Sequence, residues 1–351
     1  MQRTCRTAAI VGLGRMGVVE VDLPDLGETD VLVEVHASLV SPGTELGGWR
    51  AFAEERGTEA PDRTPRPFGY ANAGVVRETG ARVQGLAVGD RVACMGSGAR
   101  HATHAAVAQN LCAPLPDGLS FADGAYAHLA ATALHAVRRL EPELGARYLV
   151  VGLGLVGQLA AQFVRAAGAP VIGWEGIARR VERARSWGID EALVVDEPAD
   201  SVAPTRAFTG DLGLDGAVFA FTGDALSTLD ATVRCLRATP DGHPVGAIVD
   251  VGNVTFPYAK RHANIDLRRS ARTGPGYHDP AWEAGADYPR DHVRWTTRAN
   301  LDACLRLAAE GRVDFGALTT HTVPLSEAGE RVDALLDTPD EVLGLVFETQ
   351  R

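Results

Sequence analysis

The strongest chemical signal in the sequence lies in the stretch 147–175, where three glycines in G-x-G-x-x-G spacing follow a short apolar run. Gly152 would make the tight turn after a buried strand, and Gly154 would let a pyrophosphate approach the backbone. Gly157 would allow close packing of helix on strand. The helix-forming run 158–167 would direct free N–H groups and the positive end of its dipole at that phosphate. The pattern predicts a dinucleotide-binding site.

A second apolar run, 171–174, ends at Glu175, at close to the roughly 20-residue spacing of the acid that accepts from an adenosine ribose hydroxyl in such sites. Its carboxylate would meet a 2′-phosphate as a second anion, so we expect NAD, with NADP as the alternative cofactor. Arg179 and Arg180 are the nearby cations that could accommodate that phosphate, although a solvated helix face or stacking on adenine also accounts for them.

The segment 12–17 also matches G-x-G-x-x-G, but it is followed by a different kind of sequence. The next residues are rich in β-branched side chains and are interrupted by Pro24 and Gly27, so no phosphate-facing helix can begin there. We interpret this segment as a β-hairpin.

The predicted secondary structure that must position these residues changes along the chain, from mostly β-strands to alternating strands and helices. Up to about residue 120 the pattern is mostly β, with alternation at 31–36 and short strands joined by glycine-centred turns at 74–93, which suits a closed or partly closed antiparallel barrel. A helical pattern follows at 121–140. From 148 to 252 strands alternate with helices, which indicates a doubly wound parallel sheet. After it come a helix from about 296 to 309, a strand near 318–323 and a helix at 326–336.

The carboxyl ends of the parallel strands are where ligands bind on such a sheet. Thr222 and Gly252 come just past two predicted strand ends and are therefore expected to line the cofactor. The complete set predicted to bind the cofactor is Gly152, Gly154, Leu155, Val156, Gly157, Glu175, Arg179, Arg180, Thr222 and Gly252.

Composition excludes several classes of partner. The 351 residues carry a net charge of −11 with a pI near 5.4, which argues against nucleic acid or an anionic membrane. No apolar run approaches the roughly 20 residues of a membrane span, and no signal peptide is recognised. The 5 cysteines are scattered without a C-x-x-C pair, so we expect buried, reduced thiols and a cytoplasmic protein.

The predicted order is a β-rich domain, then a dinucleotide-binding unit, then a short segment that returns to the first domain. This order resembles the medium-chain dehydrogenase/reductase superfamily. The resemblance covers nearly the whole chain and is carried by 41–46 (SPGTEL), 68–74 (FGYANAG), 88–92 (VGDRV), the glycine-rich stretch and 318–328 (LTTHTVPLSEA). It implies an α/β fold with an N-terminal GroES-like β-rich catalytic domain and a Rossmann doubly wound parallel sheet. The implied domains are 1–125 with 275–351, and 126–274.

Within that superfamily, SPGTE at 41–45 together with the stretch 274–296 is similar to a zinc-independent branch that includes the bacteriochlorophyllide dehydrogenases and two-domain oxidoreductases. Pro42 stands where zinc enzymes carry a cysteine, Tyr70 stands where they carry a histidine, and the four-cysteine structural lobe is missing. Neither side chain replaces a thiolate or an imidazole on zinc, and His128, near the third ligand position, cannot hold the metal alone. We therefore expect no bound metal.

Hydride transfer to or from a nicotinamide needs a group that exchanges a proton with the developing alkoxide and stabilises its charge. The resemblance makes His128 the preferred acid or base and Tyr70 a phenol that points into the cleft. The alternatives are a capped helix histidine and an aromatic packing residue. Thr44 matches the hydroxyl of the zinc enzymes' proton relay, or is a turn hydroxyl, and Glu45 beside it orients the loop.

Two further groups of polar residues could reach the substrate. Tyr277, His278 and Asp279 follow a strand end and would shape the substrate pocket, or brace their own loop. His101 and His104 could reach the cleft, but we interpret them as surface or barrel-packing residues.

The resemblance implies an oxidoreductase that transfers a hydride between NAD and an alcohol or ketone of a polyhydroxylated small molecule, such as a sugar or cyclitol of secondary metabolism. An NADPH-dependent enoyl or quinone reductase and a non-catalytic NAD-binding redox sensor are the alternatives. The expected partners are a small-molecule substrate and a second copy of the chain in a homodimer.

Overall fold

The structure is a computed structural model of the chain and describes residues 4–12, 15–46, 65–256 and 264–350. These residues form two compact units. Unit 1 comprises 1–131, 273–311 and 318–351, and unit 2 comprises 132–272 and 312–317.

Unit 1 begins with short strands, which two helices follow. The strands are β1 (Thr4–Gly12), β2 (Arg15–Asp22), β3 (Asp30–Val40), β4 (Arg66–Pro67), β5 (Ala71–Thr79), β6 (Arg91–Met95), β7 (His104–Ala108) and β8 (Cys112–Pro114). A π-helical turn, Pro42–Leu46, follows β3, and a 3₁₀ turn, Gln109–Leu111, precedes β8. Helices α1 (Phe121–Ala125) and α2 (Ala127–Leu140) come next, and Ser120 closes a capping box on α1.

The strands of unit 1 pair in antiparallel fashion around β3. β1 and β2 pair antiparallel, so the glycine match at 12–17 belongs to a hairpin, as predicted. β3 pairs with both β5 and β7, and β6 joins β5 to β8. The strands predicted at 31–36 and within 74–93 are therefore confirmed.

Unit 2 alternates strand and helix. Its elements are β9 (Tyr148–Val151), α3 (Leu155–Ala166), β10 (Val171–Glu175), α4 (Ala178–Ser186), β11 (Glu191–Val194), a 3₁₀ turn (Pro198–Ser201), α5 (Val202–Phe208), β12 (Gly216–Phe219), β13 (Gly223–Asp224), α6 (Leu226–Cys235), β14 (Gly246–Asp250), β15 (Val254–Thr255) and β16 (Ile265–Arg269). Its main sheet has the order β11-β10-β9-β12-β14-β16, and every neighbouring pair is parallel. The predicted doubly wound parallel sheet is confirmed.

The edge strand β16 was not predicted from sequence. Its residues, IDLRR, carry three charged side chains and lack the apolar run that marks the central strands. An edge strand tolerates such residues because one side of its backbone faces no neighbour, and charge there discourages pairing with another chain.

The last elements belong to unit 1, except that residues 312–317 belong to unit 2. They are α7 (Pro280–Glu283), α8 (Thr297–Ala309), β17 (Thr319–Pro324), α9 (Ala328–Leu336) and β18 (Gly344–Glu348), with 3₁₀ turns at Gly316–Leu318, Leu325–Glu327 and Pro339–Glu341. β18, which sequence reasoning missed, lies between β17 and β3. Its Leu345 and Phe347 are buried in one hydrophobic cluster with Val40 and Val323.

Two properties expected from composition can be compared with the structure. The 5 cysteines are buried and form no disulfide, as predicted. Within the described ranges, no helix is both long enough and apolar enough to cross a membrane.

Candidate active site and cofactor-binding residues

The glycine-rich turn joins β9 to α3 through a backbone path that larger residues would block. Gly152 has a φ of 85°, in the left-handed region that favours glycine. A Cβ at Gly157 would overlap the carbonyl oxygen of Gly152, so α3 packs this closely only because position 157 is glycine. A Cβ at Gly154 would meet no other described atom within 4 Å, so the space in front of the helix is open.

The first turn of α3 faces this open space with its backbone N–H groups. The hydrogen bond from Gln158 N to Gly154 O, at 2.9 Å, begins the helical ladder. The N–H groups of Leu155, Val156 and Gly157 come before it, at the end of the helix where the dipole favours an anion. These residues fit the phosphates of a dinucleotide.

Glu175 ends β10 with both carboxylate oxygens hydrogen-bonded to the backbone. Oε2 accepts from Leu153 N at 2.7 Å and Oε1 accepts from Ile177 N at 3.1 Å, and the side chain is only 8% exposed. The carboxylate thus ties the glycine-rich turn to the start of α4, a role that the spacing alone did not predict. Each carboxylate oxygen has two lone pairs, so each keeps one that can accept from a ribose hydroxyl.

The two arginines after β10 differ in their surroundings. Arg180 lies beside Glu175, with its Nη1 3.7 Å from Oε2 and its side chain 24% exposed. Its Nε is buried and has no hydrogen-bond partner within the described residues. Arg179 is an exposed residue of α4. Arg180 is therefore the cation next to the expected position of the ribose.

The carboxyl ends of β12 and β14 form a compact pair of turns. Thr222 Oγ1 donates to Gly252 O at 2.7 Å, and a Cβ at Gly252 would overlap the backbone of Phe221. Asp250 Oδ1 accepts from Gly252 N at 3.0 Å and from Asn253 N at 2.9 Å, and so fixes the second turn. Asp250 was missed from sequence, although an aspartate just before Gly-Asn at a strand end is a turn signal.

In unit 1 the candidate catalytic residues Tyr70 and His128 are in contact. His128 Nδ1 lies 2.8 Å from the backbone oxygen of Tyr70, and because a carbonyl only accepts, Nδ1 carries the proton. The two rings meet edge to face with 4.8 Å between their centroids. In the neutral imidazole the lone pair is then on Nε2.

Burial sets the protonation of both side chains. It lowers the pKa of His128 to about 4, against the opposing effects of the hydrogen bond to Tyr70 O and the charge of Glu45. Burial, followed by the charge of Glu45, raises the pKa of Tyr70, while hydrogen bonds from the Ser41 and Thr44 hydroxyls lower it by less. At neutral pH Tyr70 is therefore a proton donor and His128 a proton acceptor.

Thr44 and Glu45 lie in the π-helical turn after β3. Glu45 Oε2 closes the turn by accepting from Ser41 N at 2.7 Å, and Oε1 lies 3.2 Å from His101 Nε2. His101 is fully buried and packed between Phe68 and Phe347, in agreement with the barrel-packing interpretation, and it also contacts Glu45. No local pattern joins positions 45 and 101, which explains why sequence reasoning did not pair them.

Tyr277 and His278 join the cluster beside His128. The Tyr277 ring meets His128 edge to face at 5.8 Å and stacks on His278 at 3.9 Å. His278 has a φ of 73°, an unusual conformation for a residue with a side chain, and its N–H donates to Glu283 Oε1 at 2.7 Å. The loop therefore holds the two rings in one defined arrangement.

Asp279 and His104 lie apart from this ring cluster. Asp279 Oδ1 accepts from Ala281 N at 3.0 Å at the start of α7, and Oδ2 accepts from Tyr288 OH at 2.5 Å. With these contacts Asp279 braces its own loop, which is the alternative given above to a role in the substrate pocket. His104 lies on β7, with its Nδ1 3.3 Å from Thr103 Oγ1.

The residues at the zinc-ligand positions of the superfamily offer no metal-binding set. Pro42 has no donor atom in its side chain, and Tyr70 offers a phenol that is protonated at neutral pH. In the part of the chain that the structure describes, no three His, Cys, Asp or Glu side chains are grouped to hold a metal ion. What the structure does bring together is a proton donor and a proton acceptor.

Comparison with known proteins gives matches over both halves of the chain. The family model of the alcohol dehydrogenase GroES-like domain matches residues 27–141, and that of the zinc-binding dehydrogenase matches residues 156–280. D-guloside 3-dehydrogenase from Shigella flexneri is 27% identical over 335 residues, which span 89% of this chain and 90% of that protein. The 2-desacetyl-2-hydroxyethyl bacteriochlorophyllide A dehydrogenase of Cereibacter sphaeroides is 28% identical over 352 residues, which span 95% and 96%.

The fold is also found among solved structures. An alcohol dehydrogenase from Thermus sp. ATN1 matches with a TM-score of 0.75 at 23% identity, over 98% of this chain and 99% of that one. Together with the two family models, this match confirms the predicted GroES-like and Rossmann domains. The chain belongs to the medium-chain, alcohol dehydrogenase-like superfamily of pyridine nucleotide-dependent oxidoreductases.

Proposed function

We propose that the protein is a zinc-independent dehydrogenase that transfers a hydride between NAD(H) and the alcohol or ketone carbon of a polyhydroxylated small molecule. The observation that carries this proposal is the contact between a protonated phenol, Tyr70, and a neutral imidazole, His128. The reaction must exchange a proton with the substrate oxygen, and a donor beside an acceptor can serve both directions.

Each group has a distinct task in this proposal. The bound nicotinamide supplies or accepts the hydride. In both directions Tyr70 donates a hydrogen bond to the substrate oxygen and stabilises its developing charge. The Ser41 and Thr44 hydroxyls hydrogen-bond the phenol and hold it in place. In alcohol oxidation His128 Nε2 accepts the hydroxyl proton, and in ketone reduction the same nitrogen returns that proton to the substrate oxygen.

A polyhydroxylated substrate is supported by two observations. The relative from Shigella flexneri is named for a D-guloside, a sugar derivative. The stacked rings of Tyr277 and His278 lie next to His128 and present apolar faces with polar edges. Such rings can pack against the C–H groups of a sugar ring and hydrogen-bond its hydroxyls.

An enoyl or quinone reductase is the second candidate, because Arg180 next to Glu175 would suit the 2′-phosphate of NADPH. A redox sensor that binds NAD without turnover is the third. Steady-state assays of sugars, cyclitols, enones and quinones with both cofactors separate the three. Polyol oxidation with NAD supports our proposal, enone reduction with NADPH alone supports the second candidate, and no turnover supports the third.

Activity is expected to survive chelation. Because Pro42 and Tyr70 supply neither thiolate nor imidazole, the purified protein should keep about 90% of its turnover after prolonged incubation with a strong chelator. Elemental analysis should find well below about one zinc per chain. A zinc-dependent alcohol dehydrogenase treated in parallel is the control. Loss of activity together with one equivalent of zinc would refute zinc independence.

NAD(H) is expected to be preferred over NADP(H) by about tenfold or more in kcat/KM, because the 2′-phosphate would meet the Glu175 carboxylate. Glu175→Ala removes this anion and frees Arg180, 3.7 Å away, so the preference should fall by about tenfold. Glu191→Ala is the matched control, since it removes a carboxylate from the amino end of β11. If Glu175→Ala keeps the parent's preference for NAD(H), Glu175 does not select the cofactor and serves only to tie the glycine-rich turn to the start of α4.

We also propose that the protein is cytoplasmic, which the 5 buried and unbridged cysteines support. A homodimer is proposed from the superfamily resemblance. Light scattering of the purified protein tests it, since a dimer has twice the mass of the 37.0 kDa chain.

A further inference from the structure

His101 is a fully buried histidine whose ring is fixed by two phenylalanines. Phe68 and Phe347 meet it edge to face, with centroids 5.1 Å and 5.3 Å away. The backbone at Gly69 comes so close that a Cβ there would overlap His101 N. Packing from several sides therefore holds the ring in one position.

The two ring nitrogens of His101 have different surroundings. Nε2 lies 3.2 Å from Glu45 Oε1, whereas Nδ1 is buried and has no hydrogen-bond partner in the described part of the chain. Protonating Nδ1 would bury an unpaired N–H donor together with a positive charge, which costs far more than burying a lone pair. The arrangement fits the His101 tautomer that carries its proton on Nε2 and donates it to Glu45 Oε1.

The Glu45 carboxylate lies in a nearly water-free place, since its side chain is only 8% exposed. Its charge is stabilised by N–H groups from Ser41 and His101. The charge acts on the acid–base pair, because it raises the pKa of Tyr70 and that of His128.

The other titratable groups that face His128 are Tyr70, Tyr277 and His278. None of these three side chains is negatively charged at neutral pH. Glu45 is the acidic residue whose charge acts on both Tyr70 and His128.

We propose that His101 is a positioning residue of the active site, whose Nε2–H fixes the Glu45 carboxylate in place near Tyr70 and His128. The inference rests on the proposed function, in which that pair exchanges protons with the substrate. Without the Nε2–H donor, the Glu45 carboxylate keeps its hydrogen bond from Ser41 N but loses the one from His101, so it is free to turn away from Tyr70 and His128. The pair would then lose its negative neighbour.

The first test needs no catalysis and uses the full-length protein. His101→Phe suits the aromatic surroundings and removes the donor, and Glu45→Gln removes the charge. In a double-mutant cycle of urea unfolding at pH 7, we expect these two changes to be coupled by about tenfold in the unfolding equilibrium constant. Additive effects, within about twofold, would overturn the inference.

Two further variants test whether the coupling in this double-mutant cycle comes from the hydrogen bond to Glu45. His101→Gln, whose amide N–H can reach the carboxylate, should retain most of the coupling to Glu45→Gln. His36→Phe is the matched control, because His36 is a histidine of the same unit, stacked on Phe121 at 4.3 Å, with a buried Nε2 that lacks a partner among the described residues. Its effect and that of Glu45→Gln should be additive within about twofold.

The second test measures turnover. His101→Phe should lower kcat about tenfold and move the acid limb of the kcat/KM profile about one pH unit lower, because losing the Glu45 charge lowers the pKa of His128. KM for NAD should change by less than about threefold. His101→Gln should recover most of the loss, and His36→Phe should match the parent.

A pH profile of His101→Phe that superimposes on that of the parent would overturn the inference, since a merely structural residue would leave the profile in place. A parent without turnover on any substrate would instead refute the proposed function. The unfolding cycle then decides the inference alone, so the two failures are distinguishable.

Discussion

Replacing Tyr70 by phenylalanine is expected to lower kcat by about 10²–10⁴-fold, the usual contribution of a positioned proton donor or acceptor. Burial raises the pKa of the phenol and keeps it protonated at neutral pH, so its removal leaves the developing alkoxide without a donor. Phenylalanine keeps the ring contact with His128, and the oxygen that accepts from His128 belongs to the backbone. Affinity for NAD(H), measured by fluorescence titration, should therefore change by less than about threefold.

His128→Asn tests the acceptor in the same way. The asparagine amide can donate to Tyr70 O as Nδ1 does, but no atom replaces Nε2, so alcohol oxidation should slow by about 10²-fold or more. Tyr126→Phe is the control, because this buried tyrosine hydrogen-bonds Thr319 Oγ1 at 2.7 Å elsewhere in unit 1. It should cost about 1 kcal/mol of stability and leave kcat unchanged.

Turnover within about threefold of the parent in both Tyr70→Phe and His128→Asn would show that this acid–base assignment is wrong. The stacked pair of Tyr277 and His278 would then be the next place to look, since these rings lie beside the same imidazole.

Gly154→Ala and Gly157→Ala are expected to fail in different ways. The added methyl at Gly154 meets open space, so the protein should fold, but the methyl occupies the approach of the pyrophosphate and should raise the Kd for NAD by about tenfold or more. The methyl at Gly157 overlaps Gly152 O, so this variant should lose about 3 kcal/mol of unfolding free energy. Urea unfolding and calorimetric titration measure the two effects.

The control for this pair is Gly17→Ala, in the hairpin that repeats the glycine spacing. Its methyl would lie 3.0 Å from a side-chain atom of Val11, so stability should fall slightly while the Kd for NAD stays the same. Weaker NAD binding in Gly17→Ala than in Gly154→Ala would mean that the wrong glycine motif has been assigned to the cofactor.

The cofactor-binding residues of unit 2 could be predicted because they are neighbours in one strand–helix–strand unit. In such a unit the spacing along the chain fixes the spacing in the fold, so the glycines and Glu175 were placed by sequence alone. The hydrogen bonds of Glu175 to Leu153 N and Ile177 N could not be predicted, because they depend on the path of the backbone around the carboxylate.

The candidate catalytic residues of unit 1 could be predicted only in part, because their contacts join distant segments. Tyr70 and His128 were singled out by position in the superfamily, but the pairing of Glu45 with His101 depends on how the π-helical turn and the segment between β6 and β7 are brought together. Likewise, β18 is a short apolar segment whose place between β17 and β3 has no local signal. Local sequence patterns predict secondary-structure elements, whereas the pairing of strands far apart in the sequence is known only from the structure.

The place of β18 between β17 and β3 has a consequence for synthesis on the ribosome. The larger sheet of unit 1 pairs β3 with β18, and all the strands of unit 2 come between them in the sequence. Unit 2 can complete its parallel sheet while the later residues are still being translated. Until β18 emerges, residues 37–40 of β3 lack their β18 partner, and the apolar side chain of Val40 lacks Leu345 and Phe347. This part of β3 exposes strand backbone during translation, and slower translation would lengthen that exposure.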